Sequence, residues 1–446
     1  MGRRKYMRLN RYVLPASMLF ILIPALLFAQ GKRPQVLVFG DGIDAYAAAI
    51  QSAKSKLNTV WIWESVSPTD GLLKGIAPQP GTITSHHNLD AGIWADLLST
   101  SMGNDQRNDS LASIVKRRIN PQLILNAMEE ELVAYPHLLV IRGGQIQSAK
   151  KRRRNWRIQL TDRRQFTIQT VVDATDNGQI GKLAGLPDWK ERTTLTEEYF
   201  DSTVFLPLAR TGVAVSDLNH SHPYTIPLGA LIPEDDHNLF YTKSTKIAPA
   251  HAVDAWNNLP LLAHIGQAVG AAAGYVAFYR TTSDKIEVRQ IQGELLQYGG
   301  RLLPFQDILQ EDPHFGAIQR IGATGLLQPK ISDGGKMRYL FEPDSTVSTA
   351  ELRPTLNQLF SRSAVWFADH QSNQLTLAEL MSLIKYIGHR GDELDALIEK
   401  NWERQFKFPG NYDPSMMVSR RHVAVLLDAY VKPFDVRIDL NGRITR

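Results

Sequence analysis

Apolar positions along this chain change their period from one stretch to the next, and each change predicts a different element. Gln35 to Phe39 is a short apolar run, Ala45 to Ala53 is alanine-rich with helical character, and Thr59 to Trp63 is a second β-rich run. A strand, a glycine turn, a helix and a strand within about 30 residues predict a βαβ unit. Leu123, Ile124, Ala127, Met128 and Leu132 share one face of a helix over 121–134. Alternating runs follow at Leu138 to Ile141, Trp156 to Leu160 and Phe166 to Val172, so that helix is expected to feed a meander. The basic run Lys150 to Arg154 falls between two of these strands and reads as a solvated hairpin turn.

Helical spacing returns from His264 to Arg280, and beyond about Gly300 the chain becomes short helices with proline-bearing loops, which places a boundary near 285–303. Phe341-Glu342-Pro343 through Val347-Ser348 aligns without gaps on Tyr412-Asp413-Pro414 through Val418-Ser419, and each run precedes an apolar helix. Two loop-helix units of one design are therefore expected in the tail.

Tyr12 to Ala29 is almost wholly apolar, follows Arg3, Arg4, Lys5, Arg8 and Arg11, and ends in small residues. This is the pattern of a cleavable export signal. An uncleaved anchor is the alternative, although Pro15 and Pro24 make the run short for roughly 30 Å of hydrocarbon. Arg3-Arg4-Lys5-Tyr6-Met7-Arg8 also has twin-arginine character, the route of proteins exported folded, with the ordinary route equally open. The formal charge of +5 changes meaning here, because those five cations sit in a segment without acids and the remaining chain is close to neutral. A neutral body has little long-range attraction for polyanions, so no nucleic-acid partner is expected. At 446 residues with 43% hydrophobic content the chain can fill two ordinary cores. It has no cysteine, which excludes disulfides, thiolate metal sites and cysteine catalysis. No Gly-x-Ser-x-Gly elbow, His-Glu-x-x-His pair or P-loop occurs, so hydrolase, zinc-protease and NTPase chemistry lack a starting point.

The strongest local signal is Gly40-Asp41-Gly42-Ile43-Asp44-Ala45, directly after a predicted strand and opening a predicted helix. Gly40 serves the tight turn, Gly42 lets backbone approach a pyrophosphate, Ala45 permits close helix–strand packing, and the helix N-terminus offers bare amides. Glu64 follows the second strand 19 residues after Ala45, near the spacing of a carboxylate that accepts from ribose hydroxyls. Asp44 is an objection, since a carboxylate beside phosphates repels them unless it points away. The glycine pattern does not separate FAD from NAD.

Val171-Val172-Asp173-Ala174-Thr175-Asp176-Asn177-Gly178 resembles the returning strand of flavoproteins with two dinucleotide-binding motifs. Further on come Pro223-Tyr224-Thr225-Ile226-Pro227 with Leu231-Ile232-Pro233, then Asn238-Leu239-Phe240, then Gly266-Gln267-Ala268-Val269-Gly270. This succession resembles the FAD-dependent oxidoreductase family over about 35–280. The resemblance implies FAD as cofactor, with Ala174, Thr175, Asp176, Gly266, Gln267 and Gly270 joining Gly40 to Ala45 and Glu64 around it, and hydride transfer from an unknown small-molecule substrate. His251 lies in a stretch similar to a cofactor-proximal segment of the family and is the candidate catalytic group, ahead of His86, His87, His220 and His222. The chain departs from the family at Thr242-Lys243, where Gly-Arg is usual, at Asn257, where an arginine is common, and at Gln179, where an acid is expected. Gly266, Gly270 and Gly274 also recur every four residues on one helix face, so a neighbouring backbone or a cofactor must approach that face closely.

The tail resembles S-layer homology repeats at Phe305-Gln306-Asp307-Ile308, His314-Phe315, Gly325-Leu326-Leu327 and Val347-Ser348-Thr349-Ala350-Glu351, with Thr349 in place of the family's arginine. That resemblance implies either a structural cap or attachment to cell-envelope polysaccharide. Asp439-Leu440-Asn441-Gly442 hints at a calcium loop but lacks a downstream glutamate, which favours an Asn-Gly turn. The expected fold is α/β: a signal peptide at 1–30, a Rossmann-like FAD-binding domain at 31–295 with an inserted β-rich substrate region, and a small helical repeat domain at 300–446. The expected protein is exported, periplasmic or envelope-associated, and is either an oxidoreductase or a non-catalytic flavoprotein fold that binds envelope material.

Overall fold

In the computed structural model the described residues are 33–66, 80–103, 109–187, 195, 199, 205–217, 223–233, 238–243, 258–333 and 337–445. The expected signal segment lies outside them, as do His220, His222, His251 and Asn257. From the N-terminus run β1 (Val36–Phe39), α1 (Ile43–Lys54), β2 (Thr59–Trp63), α2 (Gly92–Ser101), α3 (Asp109–Arg117), α4 (Pro121–Leu132), β3 (Leu138–Arg142), β4 (Ile146–Arg152), β5 (Asn155–Leu160), β6 (Gln165–Ile168), β7 (Thr170–Asp173) and α5 (Gln179–Leu183). Then come β8 (Gly212–Ser216), β9 (Tyr224–Pro227), β10 (Leu239–Tyr241), α6 (Asn258–Tyr279), α7 (Val288–Gln297), α8 (Phe315–Ala323), β11 (Lys330–Asp333), β12 (Met337–Leu340), α9 (Thr349–Leu359), α10 (Ser363–Asp369), α11 (Leu377–Gly388), α12 (Glu393–Asn401) and α13 (Arg420–Tyr430).

The central sheet has the order β10-β7-β1-β2-β3, and every pair in it is parallel. Its inner strands are apolar at nearly every position because both faces are covered. Val36 and Val38 enter the core shared with α1 and α6, whereas Leu37 and Phe39 enter a second core beneath the β4-β5-β6 sheet. Val172 and Val171 divide between the same two cores, as do Phe240 and Leu239. The expected βαβ unit is present, with Val36 opposite Thr59 and Phe39 opposite Ile62.

The meander is smaller than its sequence suggested. Leu138–Arg142 pairs parallel with β2, and Thr170–Asp173 pairs parallel with β1, so the antiparallel sheet holds only β4, β5 and β6. Alternation describes an edge strand of a parallel sheet as well as a strand of a meander, and β3 is an edge strand with one solvent face. Lys150 to Arg154 does form a hairpin, turning at Arg153 with φ of +50°.

From Leu303 onward a third core gathers Phe305, Phe341, Leu380, Trp402 and Leu426 with residues of α8 to α13. By its contacts Pro34–Arg446 is nevertheless one unit. The aligned runs at 341–348 and 412–419 both end in a serine that caps the next helix, Ser348 over Glu351 N and Ser419 over His422 N. Asp439 accepts from the amides of Asn441 and Arg443, and Gly442 has φ of +75°, so this segment closes as a turn between bridged Ile438 and Ile444.

Candidate functional site

The site is the set of chain ends at the carboxyl edge of β1, β2, β7 and β10, where an open α/β sheet offers a crevice. Gly40 leaves β1 at φ of +138°, and a Cβ there would stand 2.7 Å from the carbonyl oxygen of Ala174. Glycine is therefore required twice over, by conformation and by the neighbouring strand. The indole of Trp61 donates to Gly40 O at 2.9 Å and fixes the turn from the β2 side. Gly42 is the N-cap of α1 and brings no side-chain cap. Tyr46 N makes the bond to Gly42 O at 3.1 Å, so the amides of Gly42 to Ala45 precede the intrahelical ladder. Such amides, at the positive end of a helix dipole, suit an anion.

The end of β7 abuts this turn. Ala174 N donates to Phe39 O at 2.7 Å. Asp173 is wholly buried and accepts from Thr175 Oγ1 at 2.6 Å and Ile180 N at 2.7 Å. Burial pushes its carboxyl up to about 6 against those hydrogen bonds, which pull it down. Asp173 and Thr175 thus build the loop into α5 rather than reaching outward.

Two acids of the turn have duties that sequence alone did not reveal. Asp41 accepts from Glu64 N at 2.5 Å, Ser65 N at 3.1 Å and Ser65 Oγ at 2.5 Å, which ties the turn to the end of β2. Asp44 is fully buried and lies over Gly42: a Cβ on Gly42 would stand 2.1 Å from Asp44 Oδ1 and 3.3 Å from Lys243 Nζ. Thr242 Oγ1 donates to Asp44 Oδ2. Lys243 Nζ stands 3.8 Å from Asp44 Oδ1 and 3.0 Å from Asp176 Oδ1. Burial pulls the Lys243 ammonium down, but Asp44, Asp176 and Asp41 outweigh it and hold it above its ordinary value. Thr242 and Lys243, noticed in sequence as departures, are the partners of that inward carboxylate among the described residues.

Gly266, Gln267 and Gly270 do not face the turn's amides. A Cβ at Gly266 would meet Asp44 O at 2.2 Å, and one at Gly270 would meet Ala48 O at 2.5 Å, so this stripe is the seam between α6 and α1. Gln267 donates to Gln51 Oε1 and Tyr298 O and accepts from Ile93 N. The neighbouring-backbone reading of the glycine stripe is met at Gly266 and Gly270, which pack α6 on α1. His86 and His87 stack on each other at 4.6 Å, and His86 Nδ1 accepts from Asn88 N at 3.2 Å in a short 3-10 turn. A buried pair that carried no sequence signal is Lys116 with Asp90 at 2.8 Å, which Trp94 Nε1 also reaches. A cavity of about 710 Å³ lies elsewhere, between α6, α7 and the segment 434–437, lined by Tyr275, Tyr279, Arg289, Glu294 and Phe434.

Residues 35–211, less than half of the chain, match the family model described as FAD dependent oxidoreductase. No curated protein matches. Among solved structures, the bacillithiol disulfide reductase Bdr from Staphylococcus aureus is similar at 16% identity and TM-score 0.24, over 33% of this chain and 40% of that one. A thioredoxin reductase from T. acidophilum aligns at 14% identity and TM-score 0.20, over 33% and 36%, and one from Gloeobacter violaceus at 16% and 0.22, over 32% and 35%. The alignments thus span well under half of those chains. The fold is α/β and Rossmann-like with a helical C-terminal region, and its segment 35–211 is similar to the FAD-dependent oxidoreductase family, whose cofactor is FAD.

Proposed function

We propose that this chain is an exported FAD-dependent oxidoreductase whose cofactor lies across the β1–α1 turn. The observation that carries the proposal is the turn itself: Gly40 pressed against Ala174, followed by four amides outside the helical ladder, within a segment that matches a flavin-dependent family. The frame of the site fits a dinucleotide, while Asp44 stands where the phosphates would approach. In this reading the amides of Gly42 to Ala45 hold the diphosphate and Glu64, at the end of β2, serves the ribose. Bound FAD supplies the hydride acceptor, and the protein's part is position and electrostatics. The substrate is a small molecule, and the C-terminal repeats are proposed as a cell-envelope contact.

Equilibrium binding of FAD to the purified full chain, followed by quenching of flavin fluorescence, tests the placement. Gly40→Val drives a branched side chain into Ala174 and should weaken binding by at least tenfold, while Glu64→Ala should weaken it less. Equal affinity of all three chains would place the flavin elsewhere. A second reading, a flavoprotein fold that binds without turnover, is favoured by Asp44 and Lys243 lying together over Gly42. It predicts that bound flavin is not bleached by a panel of small-molecule donors yet is reduced by dithionite.

A further inference from the structure

We infer that Asp44 is an internal counter-anion that occupies the clearing over Gly42 and sets how tightly this chain takes a dinucleotide. The inference rests on the reading of the β1–α1 turn as the nucleotide cradle. Its ground is positional. A dinucleotide site keeps glycine at this position so that a phosphate oxygen can settle against backbone, about 3 Å from the amide nitrogens. Asp44 Oδ1 lies in the volume that a Gly42 side chain would claim, 2.1 Å from its Cβ position. A phosphate entering that clearing must displace the carboxylate, and this displacement lowers its affinity.

The carboxylate is held there by its partners. Thr242 Oγ1 donates to Oδ2, and Lys243 Nζ balances it from 3.8 Å while also pairing with Asp176. Its backbone is fixed from below, since Gly266 leaves room for Asp44 O against α6. A second observation shows that this acid is incompletely satisfied where it lies. Asp44 has no exposed surface, yet among the described residues its Oδ1 has no hydrogen-bond donor, and Lys243 Nζ stands 3.8 Å from it. Removing the acid empties the clearing, leaves the amides bare and frees Lys243 to face a phosphate. The family-type residues Gly-Arg at 242–243 would offer no hydroxyl to hold such an acid, so Asp44 and Thr242 work as a pair.

Calorimetric titration of FAD and of ADP into the full chain tests this with four proteins: natural, Asp44→Ser, Thr242→Gly and Lys243→Met. Circular dichroism and melting of each confirm folding before titration. Asp44→Ser should bind both ligands at least tenfold more tightly than the natural chain. Thr242→Gly should move affinity the same way by a smaller factor, and Lys243→Met should weaken it. If the natural chain and Asp44→Ser bind FAD equally, Asp44 does not contest the clearing, and the cradle reading survives without the inference. If no variant binds FAD or ADP, the cradle reading fails and the inference fails with it.

Discussion

A methyl group on Gly266 would stand 2.2 Å from the backbone oxygen of Asp44, and neither helix can yield there without opening the α1–α6 seam. One on Gly274 would meet the end of the Leu57 side chain at 3.1 Å and Ser55 at an ordinary 3.8 Å. Overpacking typically costs about 1–3 kcal/mol, against a helix-propensity gain of about 1 kcal/mol for alanine over glycine. Gly266→Ala is therefore expected to destabilise the chain in urea unfolding, and Gly274→Ala to be nearly neutral. Equal effects would contradict the seam. The fourfold spacing showed in sequence that something approaches this face closely, but spacing has no means to distinguish a backbone from a flavin. The turn at Gly40 and the helix start at Gly42 were legible because both follow from position after a strand. The inward turn of Asp44 was not, because it depends on Thr242, 198 residues away.

At the scale of elements, the tail shows how two degenerate units complete each other. Arg420, with no exposed surface, donates to Phe341 O, Leu327 O and Gln328 O and pairs with Glu351, so the second unit's arginine neutralises the first unit's acid. Thr349, in the place of the first unit's own arginine, is buried and bonds Ser372 O instead. Arg420→Ala should cost roughly 3–5 kcal/mol, the usual penalty for removing one partner of a buried ion pair, and Ser348→Ala about 1 kcal/mol through its cap. Denaturant midpoints check both, and an Arg420→Ala loss no larger than that of Ser348→Ala would refute the tie. The repeat was legible from its gapless alignment, and so were the helices after it. The assignment of β3 to the parallel sheet was not, since alternation of period two records one buried face and not the direction of the neighbouring strand.

Over the whole molecule, buried titratable groups make stability depend on pH. Burial lowers His264 to about 4, and burial with the Arg421 and His314 charges lowers His422 to about 4. Each binds its proton more readily unfolded than folded, so stability is fully present above about 6.5 and is lost as pH falls toward 4, by on the order of 3 kcal/mol for each group. Asp173, raised to about 6, works in the opposite sense and disfavours the folded state as pH rises from about 4 to 6. Two histidines outweigh one acid, so the melting temperature should fall on acidification from pH 6.5 to 4. His264→Gln should flatten that slope, and an unchanged slope would contradict the burial of a neutral imidazole.

The amides that open α1 are the proposed anion cradle. Hydrogen–deuterium exchange of the peptide spanning β1 and the start of α1, measured on the Asp44→Ser chain with and without saturating FAD, addresses them directly. Slower exchange at Gly42 to Ala45 when FAD is present is the predicted result. Bound flavin with unchanged exchange at those four amides would contradict it.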